Sequence, residues 1–233
     1  TGSGCTASAT TIVTVNTIAV GPTNSSPACV GGNVVLHANE TGTAPGVVYA
    51  WSGPASFSST TADNTLSSVD LTNAGIYTVT ASNSSSGCSA TGTTNVTVNT
   101  LGIVAANNSP ACVGGTVSLG SVPSGTATPV SYSWSGPGGY TSTDRYPSPI
   151  TGVSTSDAGT YTVTVNATGS GCTASATTIV TVNTIAVGPT NSSPACVGGT
   201  VNLSVNESGS APGVTYAWSG PVSFTSTNAN PVL

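Results

Sequence analysis

Six cysteines carry most of the reactive chemistry of this chain, and they fall into two classes. One class stands in the heptapeptide Ser-Pro-Ala-Cys-Val-Gly-Gly and comprises Cys29, Cys112 and Cys196. The other follows a Ser-Gly dipeptide and comprises Cys5, Cys88 and Cys172. No pair has the spacing of a metal site, so the sequence predicts disulfides in an oxidising, extracellular location.

The residues that catalysis would need are scarce. His37 is the only histidine, and the other copies of its position hold Gly120 and Ser204, which indicates an ordinary surface position. Asp70 and Asp157 stand beside turn residues, where a carboxylate usually caps a turn. No calcium-binding loop or carboxylate pair is present. The sequence therefore predicts no enzyme, no catalytic residue, no metal site and no cofactor.

One segment breaks the repeat pattern and is a candidate ligand patch. It runs from Tyr140 to Tyr146 and contains Arg145, the only cationic residue of the chain. An Arg between aromatic side chains could bind a sugar or a neighbouring filament, whereas a surface ion pair between Asp144 and Arg145 is the simpler interpretation. The aromatic residues Tyr49, Trp51 and Phe57 could also form a sugar platform, but their alternation favours a core.

The composition excludes several classes of partner. Charged residues make up 3% of the chain, against about 25% in an average soluble domain. With a single Lys or Arg and a net charge of −5, the chain has nothing to neutralise phosphates, so nucleic acid is excluded as a partner. No apolar run approaches the roughly 20 residues of a membrane span, and we expect no membrane insertion of this segment.

The chain repeats itself. Residues 1–32 recur letter for letter as residues 168–199, and the cysteine heptapeptide returns at spacings of 83 and 84 residues. The unit is about as long as one small domain. We predict a truncated C-terminal strand over residues 1–17, complete units over 18–100 and 101–184, and a truncated unit over 185–233, all within a longer array.

Within one unit the apolar residues alternate with polar ones, which is typical of strands. Turn signals such as Gly31-Gly32 and Asn73-Ala74-Gly75 separate the runs. About seven short strands without any helical period predict an all-β fold, a β-sandwich. The residues predicted to face its core in the first unit are Val34, Leu36, Val47, Tyr49, Trp51, Leu66, Val69, Tyr77, Val79, Ala81, Val96 and Val98.

Two motifs resemble the immunoglobulin-like (Ig-like) fold. Asn-Ala-Gly-Ile-Tyr ending at Tyr77 and Asp-Ala-Gly-Thr-Tyr ending at Tyr161 are similar to its tyrosine corner. The resemblance implies that the recurring tryptophans fill the sandwich core, and it gives as core residues Trp51, Trp134, Trp218, Tyr77 and Tyr161. The usual disulfide between strands B and F is absent, because Val79 and Val163 occupy the second cysteine position.

The whole chain resembles the tandem Ig-like and PKD-like repeats of giant cell-surface adhesins of the Bacteroidota, including those linked to gliding motility and type IX secretion. The matching elements are Cys-Val-Gly-Gly-Thr-Val, Trp-Ser-Gly-Pro, Asp-Ala-Gly-Thr-Tyr-Thr-Val-Thr-Val and Ser-Gly-Cys-Thr-Ala. The resemblance implies a linear array of Ig-like domains at the extracellular cell surface.

Three disulfide pairings are open. Pairing within a unit, Cys29 with Cys88 and Cys112 with Cys172, is the default for a small domain, but Ig topology implies that strand G holds the two cysteines of a unit on the order of 30 Å apart. A staggered pairing of Cys29 with Cys172 in the next unit avoids this and is preferred, with Cys5, Cys88, Cys112 and Cys196 pairing to further units. A pairing of Cys88 with Cys112 across the linker is the third option.

These features favour a structural repeat of a long extracellular filament or adhesin stalk, stabilised by disulfides. Its partners would be neighbouring repeats, identical chains in a filament and surface polysaccharide. One alternative is a sheath or surface-layer protein whose uncharged faces associate laterally. A second is a glycan-binding accessory module of a secreted protein.

Overall fold

The computed structural model describes Gly2 and residues 4–233. The chain divides into two compact units. The first comprises Thr1–Leu101 with two later segments, Gly125–Pro129 and Ala167–Cys172. The second comprises Gly102–Ser124, Val130–Asn166 and Thr173–Leu233. The two segments that join the first unit matter for the site described below.

Short strands make up the first part of the chain. They are β1 (Ile18–Val20), β2 (Thr23–Asn24), β3 (Ala28–Cys29), β4 (Val34–His37), β5 (Glu40–Gly42), β6 (Val48–Gly53), β7 (Phe57–Ser59), β8 (Asp63–Leu66), β9 (Gly75–Asn83), β10 (Cys88–Val96) and β11 (Val98–Asn99). A 3-10 turn, Leu71–Asn73, precedes β9.

The later strands repeat this order. They are β12 (Leu101–Asn107), β13 (Ala111–Cys112), β14 (Thr116–Val117), β15 (Leu119–Gly125), β16 (Val130–Ser135), β17 (Thr141–Ser142), β18 (Ile150–Thr151), β19 (Gly159–Ala167), β20 (Cys172–Val180), β21 (Val182–Asn183), β22 (Ile185–Asn191), β23 (Leu203–Gly209), β24 (Trp218–Ser219) and β25 (Thr225–Ser226). Three further 3-10 turns are Pro137–Gly139, Thr155–Asp157 and Pro221–Ser223.

The first unit is a sandwich of two main sheets. One sheet has the antiparallel order β10-β9-β6-β7, and the other has the order β2-β4-β8. Strand β3 pairs in parallel with β11, which places Cys29 opposite Asn99. The alternating pattern gives each strand one apolar face, and the two faces meet in a core. The buried residues of this core are Ala28, Val34, Leu36, Ala38, Trp51, Leu66, Val69, Tyr77, Val79, Val96 and Val98.

The second unit contains an equivalent sheet of order β17-β16-β19-β20 and an equivalent parallel pair, β13 with β21. Its core consists of Val117, Leu119, Trp134, Val153, Tyr161, Val163, Val180 and Val182. After Asn183 the described strands form only two-stranded ladders, β22 with β23 and β24 with β25. The predicted all-β, tandem Ig-like class is confirmed.

Two details differ from the sequence prediction. The structure has more and shorter strands than seven per unit, because Pro22 and Pro27 interrupt the leading strand, and Thr97 donates its N–H to the Ser26 hydroxyl at 3.1 Å. Val69 lies outside the strands, although it is 1% exposed. Its N–H and carbonyl bond instead to the Gly31-Gly32 turn, which anchors that turn to the core.

Candidate functional sites

The first site is a disulfide that spans most of the chain. Cys29 is bonded to Cys172, 143 residues later, with a Cα–Cα distance of 5.4 Å. That distance lies within the range of about 4.4–6.8 Å that disulfides require. Both residues belong to the first compact unit, because the segment Ala167–Cys172 packs with it. The Cys172 side chain is 1% exposed.

The ladder of β10 is incompatible with the within-unit alternative. Asn99 lies opposite Cys29, and Cys88 lies eleven residues earlier on the same extended run, where it pairs with Asn83. At about 3.3 Å per residue, roughly 35 Å separates the two ends of that run. Cys29 therefore cannot reach Cys88 while the sandwich is folded.

The other four cysteines are unbonded thiols. Cys5, Cys112 and Cys196 are exposed, whereas Cys88 is half-buried. The Cys88 Sγ donates a hydrogen bond to the Asn16 carbonyl at 3.3 Å. Their pairing with further units stays a prediction.

The second feature is a set of hydrogen bonds around the linker threonine that recurs in each repeat. The Thr100 carbonyl accepts hydrogen bonds from the N–H groups of Thr126 and Ala127 at 3.0 and 3.1 Å, and the Thr100 N–H donates to the Thr126 hydroxyl at 3.1 Å. The same arrangement recurs at the two other linkers, in which Thr17 is held by Thr43 and Ala44, and Thr184 by Ser210 and Ala211. This feature was not predicted from the sequence, although a Thr or Ser after a Gly at each equivalent position could have signalled it.

A glycine leaves the space that these hydrogen bonds to the linker threonine require. Gly125 has a φ of +102°, and a Cβ added there would lie 2.3 Å from the Thr100 carbonyl oxygen. We expect Gly125→Ala to lower the free energy of unfolding by about 2 kcal/mol or more, since it combines a strained φ with a backbone clash. Urea denaturation followed by circular dichroism measures this.

Gly138→Ala is the matched control. Gly138 also has a positive φ, +65°, but its Cβ would meet nothing within 4 Å. The control variant should lower the free energy of unfolding by only about 1 kcal/mol, which is the cost of placing an L-residue in the left-handed conformation. Equal losses in both variants would mean that the linker contact contributes nothing to stability.

The structure gives the burial of the five residues proposed for the cores. Trp51 and Trp134 are 3% and 1% exposed, and Tyr77 and Tyr161 are fully buried. Trp218 is half-buried, and its strand β24 pairs with β25 among the described residues.

Both tyrosine corners are formed. The Tyr77 hydroxyl donates to the Asn73 carbonyl, and the Tyr161 hydroxyl donates to the Asp157 carbonyl, each at 3.0 Å. Burial raises the pKa of both phenols. This bond back to the upstream turn is the hallmark of the Ig-like sandwich.

The two aspartates cap these turns, as the sequence predicted. The Asp157 carboxylate accepts from the Ser154 N–H at 2.8 Å and from the Ser154 hydroxyl at 2.8 Å. These two bonds lower the pKa of Asp157. Hydrogen bonds from the Thr72 hydroxyl and N–H lower the pKa of Asp70 in the same way.

The depressed pKa values predict a pH dependence of stability. A carboxyl whose pKa is lower in the folded state stabilises the fold above its unfolded pKa, about 4, and loses that contribution as the pH falls through its folded pKa. We expect the melting temperature of the wild type to fall between pH 4 and pH 2. Asp157→Asn should have a lower melting temperature at pH 7 but a smaller fall. Calorimetry at several pH values tests this, and the two curves should converge near pH 2; parallel curves would contradict it.

The residues of the candidate ligand patch have different packing partners. Tyr140 packs edge-on against Tyr161 with ring centroids 5.2 Å apart, so it belongs to the core boundary and not to a surface with Tyr146. Asp144 and Arg145 form no ion pair among the described residues. The Arg145 guanidinium lies 5.0 Å above the Tyr146 ring, and its Nε donates to the Ser121 carbonyl at 3.1 Å.

A paired change at two facing positions explains why Tyr146 breaks the repeat. In the first unit His37 lies opposite Asp63, and the His37 Nδ1 is 2.9 Å from the Asp63 carboxylate. The equivalent residues of the second unit are Gly120 and Tyr146, and a Cβ on Gly120 would lie 3.2 Å from the Tyr146 ring. The ring thus covers the space that glycine leaves open. His37 takes part in this surface contact, in agreement with the expected surface position.

Tyr49 and Phe57 also pack on the core, together with buried Trp51, so these aromatics form no exposed sugar platform. Within the described residues, no group of three or more His, Cys, Asp or Glu side chains could hold a metal ion. No helical segment in the part of the chain that the structure describes is long and apolar enough to cross a membrane.

Two packed antiparallel sheets, a buried tryptophan and a tyrosine corner define the class of protein: the chain consists of tandem Ig-like sandwiches. No protein-family model matches the chain. No curated protein matches it either.

Solved structures similar to the chain are multidomain fragments. The three N-terminal domains of the highly immunogenic outer capsid protein (Hoc) of bacteriophage RB49 give a TM-score of 0.48 at 18% identity, covering 93% of this chain and 80% of that one. The I67–I69 fragment of titin gives 0.42 at 18% identity, covering 86% and 78%. The four N-terminal Ig domains of Dscam1 isoform 9.44 give 0.34 at 16% identity, covering 69% of this chain and 45% of that one.

Proposed function

We propose that this chain is a non-catalytic structural segment of a long extracellular surface filament or adhesin stalk, in which disulfides join successive Ig-like units. The tandem sandwiches and the adhesin-like motifs support this proposal. The attribution to Bacteroidota surface proteins, with their links to gliding motility and type IX secretion, rests on the sequence motifs.

The observation that carries the proposal is the bond between Cys29 and Cys172. Cys29 belongs to the repeat unit over residues 18–100, and Cys172 belongs to the unit over 101–184. A disulfide confined to one sequence repeat would pair two cysteines of that repeat. This one instead joins strand β3 of one repeat to the first residue of strand β20 in the following repeat. A covalent bond between successive repeats is what a filament under tension needs.

The linker supports the same interpretation. Thr100 makes three hydrogen bonds with Thr126 and Ala127, and the Thr126 hydroxyl also donates to the Asn99 side chain at 3.2 Å. These bonds pair the backbone N–H and carbonyl groups of Thr100 and fix this residue against the segment Gly125–Pro129 of the same compact unit. Disulfides persist in oxidising surroundings, which supports an extracellular, cell-surface location.

Trypsin provides a direct test, because the chain has a single Lys or Arg, Arg145. Cleavage there separates Cys29 from Cys172. We expect the two fragments to migrate as one species without reductant and as two species after reduction. Fragments that separate without reductant would overturn the proposed bond between units.

Two serine variants distinguish the staggered pairing from the within-unit pairing. Under the staggered pairing, Cys29→Ser frees the fragments and Cys112→Ser leaves them linked. A within-unit bond from Cys112 to Cys172 would give the opposite result. Electron microscopy of the native protein then tests the supramolecular form: single thin beaded fibres support a stalk, and laterally packed sheets would mean a sheath.

A further inference from the structure

We propose that the cleft beside Cys88 binds the Ala-Cys-Val-Gly-Gly segment of another copy of the repeat unit, which adds to residues Val15-Asn16 as a short parallel strand and becomes disulfide-bonded to Cys88. The inference rests on the proposed function, because it extends the bond between units to a second position and names the partner.

The cleft has a volume of about 480 Å³ and lies wholly within the first unit. Its walls include Val15, Asn16, Pro45, Asn83 and Cys88. The Asn83 side chain is itself buried and fixed, because its amide donates to the Pro45 carbonyl and its oxygen accepts from the Ser86 N–H at 2.8 Å. Hydrogen bonds within the first unit therefore fix this wall of the cleft, and the Cys88 thiol lies against the Asn16 backbone.

At the equivalent position one repeat later in the chain, a segment of this kind is already bound. Val98 and Asn99 are the copies of Val15 and Asn16, and Cys172 is the copy of Cys88. There the strand Ala28–Cys29 pairs in parallel with Val98–Asn99, and Cys29 is bonded to Cys172. The same chemical groups, at the same spacing, thus already hold an Ala-Cys-Val-Gly-Gly segment once in this chain.

The hydrogen bonds of Ala28 and Val30 indicate which hydrogen bonds a segment bound in the cleft would make. The Ala28 N–H donates to the Thr97 carbonyl at 3.1 Å, and the Val30 N–H donates to the Asn99 carbonyl at 3.0 Å. The equivalent acceptors at the cleft are the carbonyls of Thr14 and Asn16. An incoming segment would donate its Ala and Val N–H groups to these two oxygens.

Burial differs between the two places in the direction that the proposal requires. Val98 is 5% exposed, whereas Val15 is 79% exposed. Cys172 is 1% exposed, whereas Cys88 is half-exposed. The valine and the cysteine that the bound segment covers at one place are open at the other, so binding would remove apolar surface from water.

The covalent step is a thiol–disulfide exchange. The Cys88 thiolate attacks the cysteine sulfur of a segment that carries a glutathione mixed disulfide. The bond between the Cys88 sulfur and the segment sulfur forms, the bond to glutathione breaks, and the glutathione thiolate leaves with the electron pair. No other oxidant is needed, because the mixed disulfide supplies the oxidised sulfur.

The test uses the whole chain and the synthetic peptide Ser-Pro-Ala-Cys-Val-Gly-Gly, carried as its glutathione mixed disulfide. Mass spectrometry of a non-reduced digest measures the rate of peptide attachment at each free cysteine. Cys5, Cys112 and Cys196 serve as internal references because they are more exposed than Cys88. We expect Cys88 to react at least about tenfold faster than they do, since two hydrogen bonds and apolar contacts hold the peptide there.

The matched control peptide is N-methylated at its valine, which removes the donor to the Asn16 carbonyl. It should react about tenfold more slowly at Cys88 and at an unchanged rate at the three references. A Cys88 rate that is no higher than the references, or that is insensitive to the methyl group, overturns the inference. The same digest shows whether Cys29 and Cys172 are linked. A missing link would contradict the proposed function, whereas the rate at Cys88 tests only the further inference.

Discussion

Trp134→Ala is expected to lower the free energy of unfolding of its sandwich by about 3–5 kcal/mol. The indole is 1% exposed and lies in the core with Tyr161 and Val163. Its Nε1 donates to the Asp144 carbonyl at 3.0 Å, so truncation removes a buried hydrogen bond as well as apolar volume. Urea denaturation followed by circular dichroism gives the free energy.

Trp218→Ala is the matched control for this prediction. Trp218 makes the same kind of bond, from Nε1 to the Asn228 carbonyl at 2.9 Å, but its side chain is half-buried and its strand pairs only with β25 in the described chain. We expect a loss of about 1 kcal/mol, because no close-packed cavity is left behind. Similar losses in the two variants would show that the burial of Trp134 does not decide its contribution.

Stretching the chain from its two ends should reveal the second large effect. With Cys29 bonded to Cys172, 143 residues of sequence are withheld from extension. At about 3.6 Å per residue, the fully stretched oxidised chain should be shorter by about 500 Å than the reduced chain. Single-molecule force spectroscopy with and without reductant measures this difference in contour length.

Serine variants identify the bond responsible. Cys29→Ser should extend fully without reductant, whereas Cys112→Ser, which alters an exposed free thiol, should extend like the oxidised wild type. If the oxidised wild type extends to the full length, the bond between Cys29 and Cys172 does not bear the applied force. That result would contradict the proposed role of this bond in a filament.

The core of the first sandwich could be predicted from the sequence with few errors. Val34, Leu36, Val79 and Val96 are all nearly inaccessible, as the alternation of apolar residues indicated. This succeeds because a strand has a period of two, so local sequence decides which face is apolar. The exact strand bounds were less predictable, since prolines and side-chain bonds to the backbone divide the strands.

The surface segment from Tyr140 to Tyr146 was harder to interpret. The sequence placed aromatic and cationic residues together but could not show that Tyr140 packs on Tyr161 while Arg145 stacks on Tyr146. Successive residues of a loop can point to different sides, and their directions depend on partners that are distant in sequence. The sequence showed that Gly120 and Tyr146 depart from the repeat, but only the structure shows that the two residues face each other and form one contact.

The sequence by itself determined the repeat unit, the strand pattern, the near-absence of charge and the two classes of cysteine, because these follow from residue identity and short-range periodicity. Only the tertiary structure decided that Cys29 is bonded to Cys172, that Gly125 leaves room for the Thr100 carbonyl, and that Tyr140 packs on Tyr161. Each of these depends on which backbone segments meet in space, over separations of up to 143 residues, and local pattern carries no record of such distances.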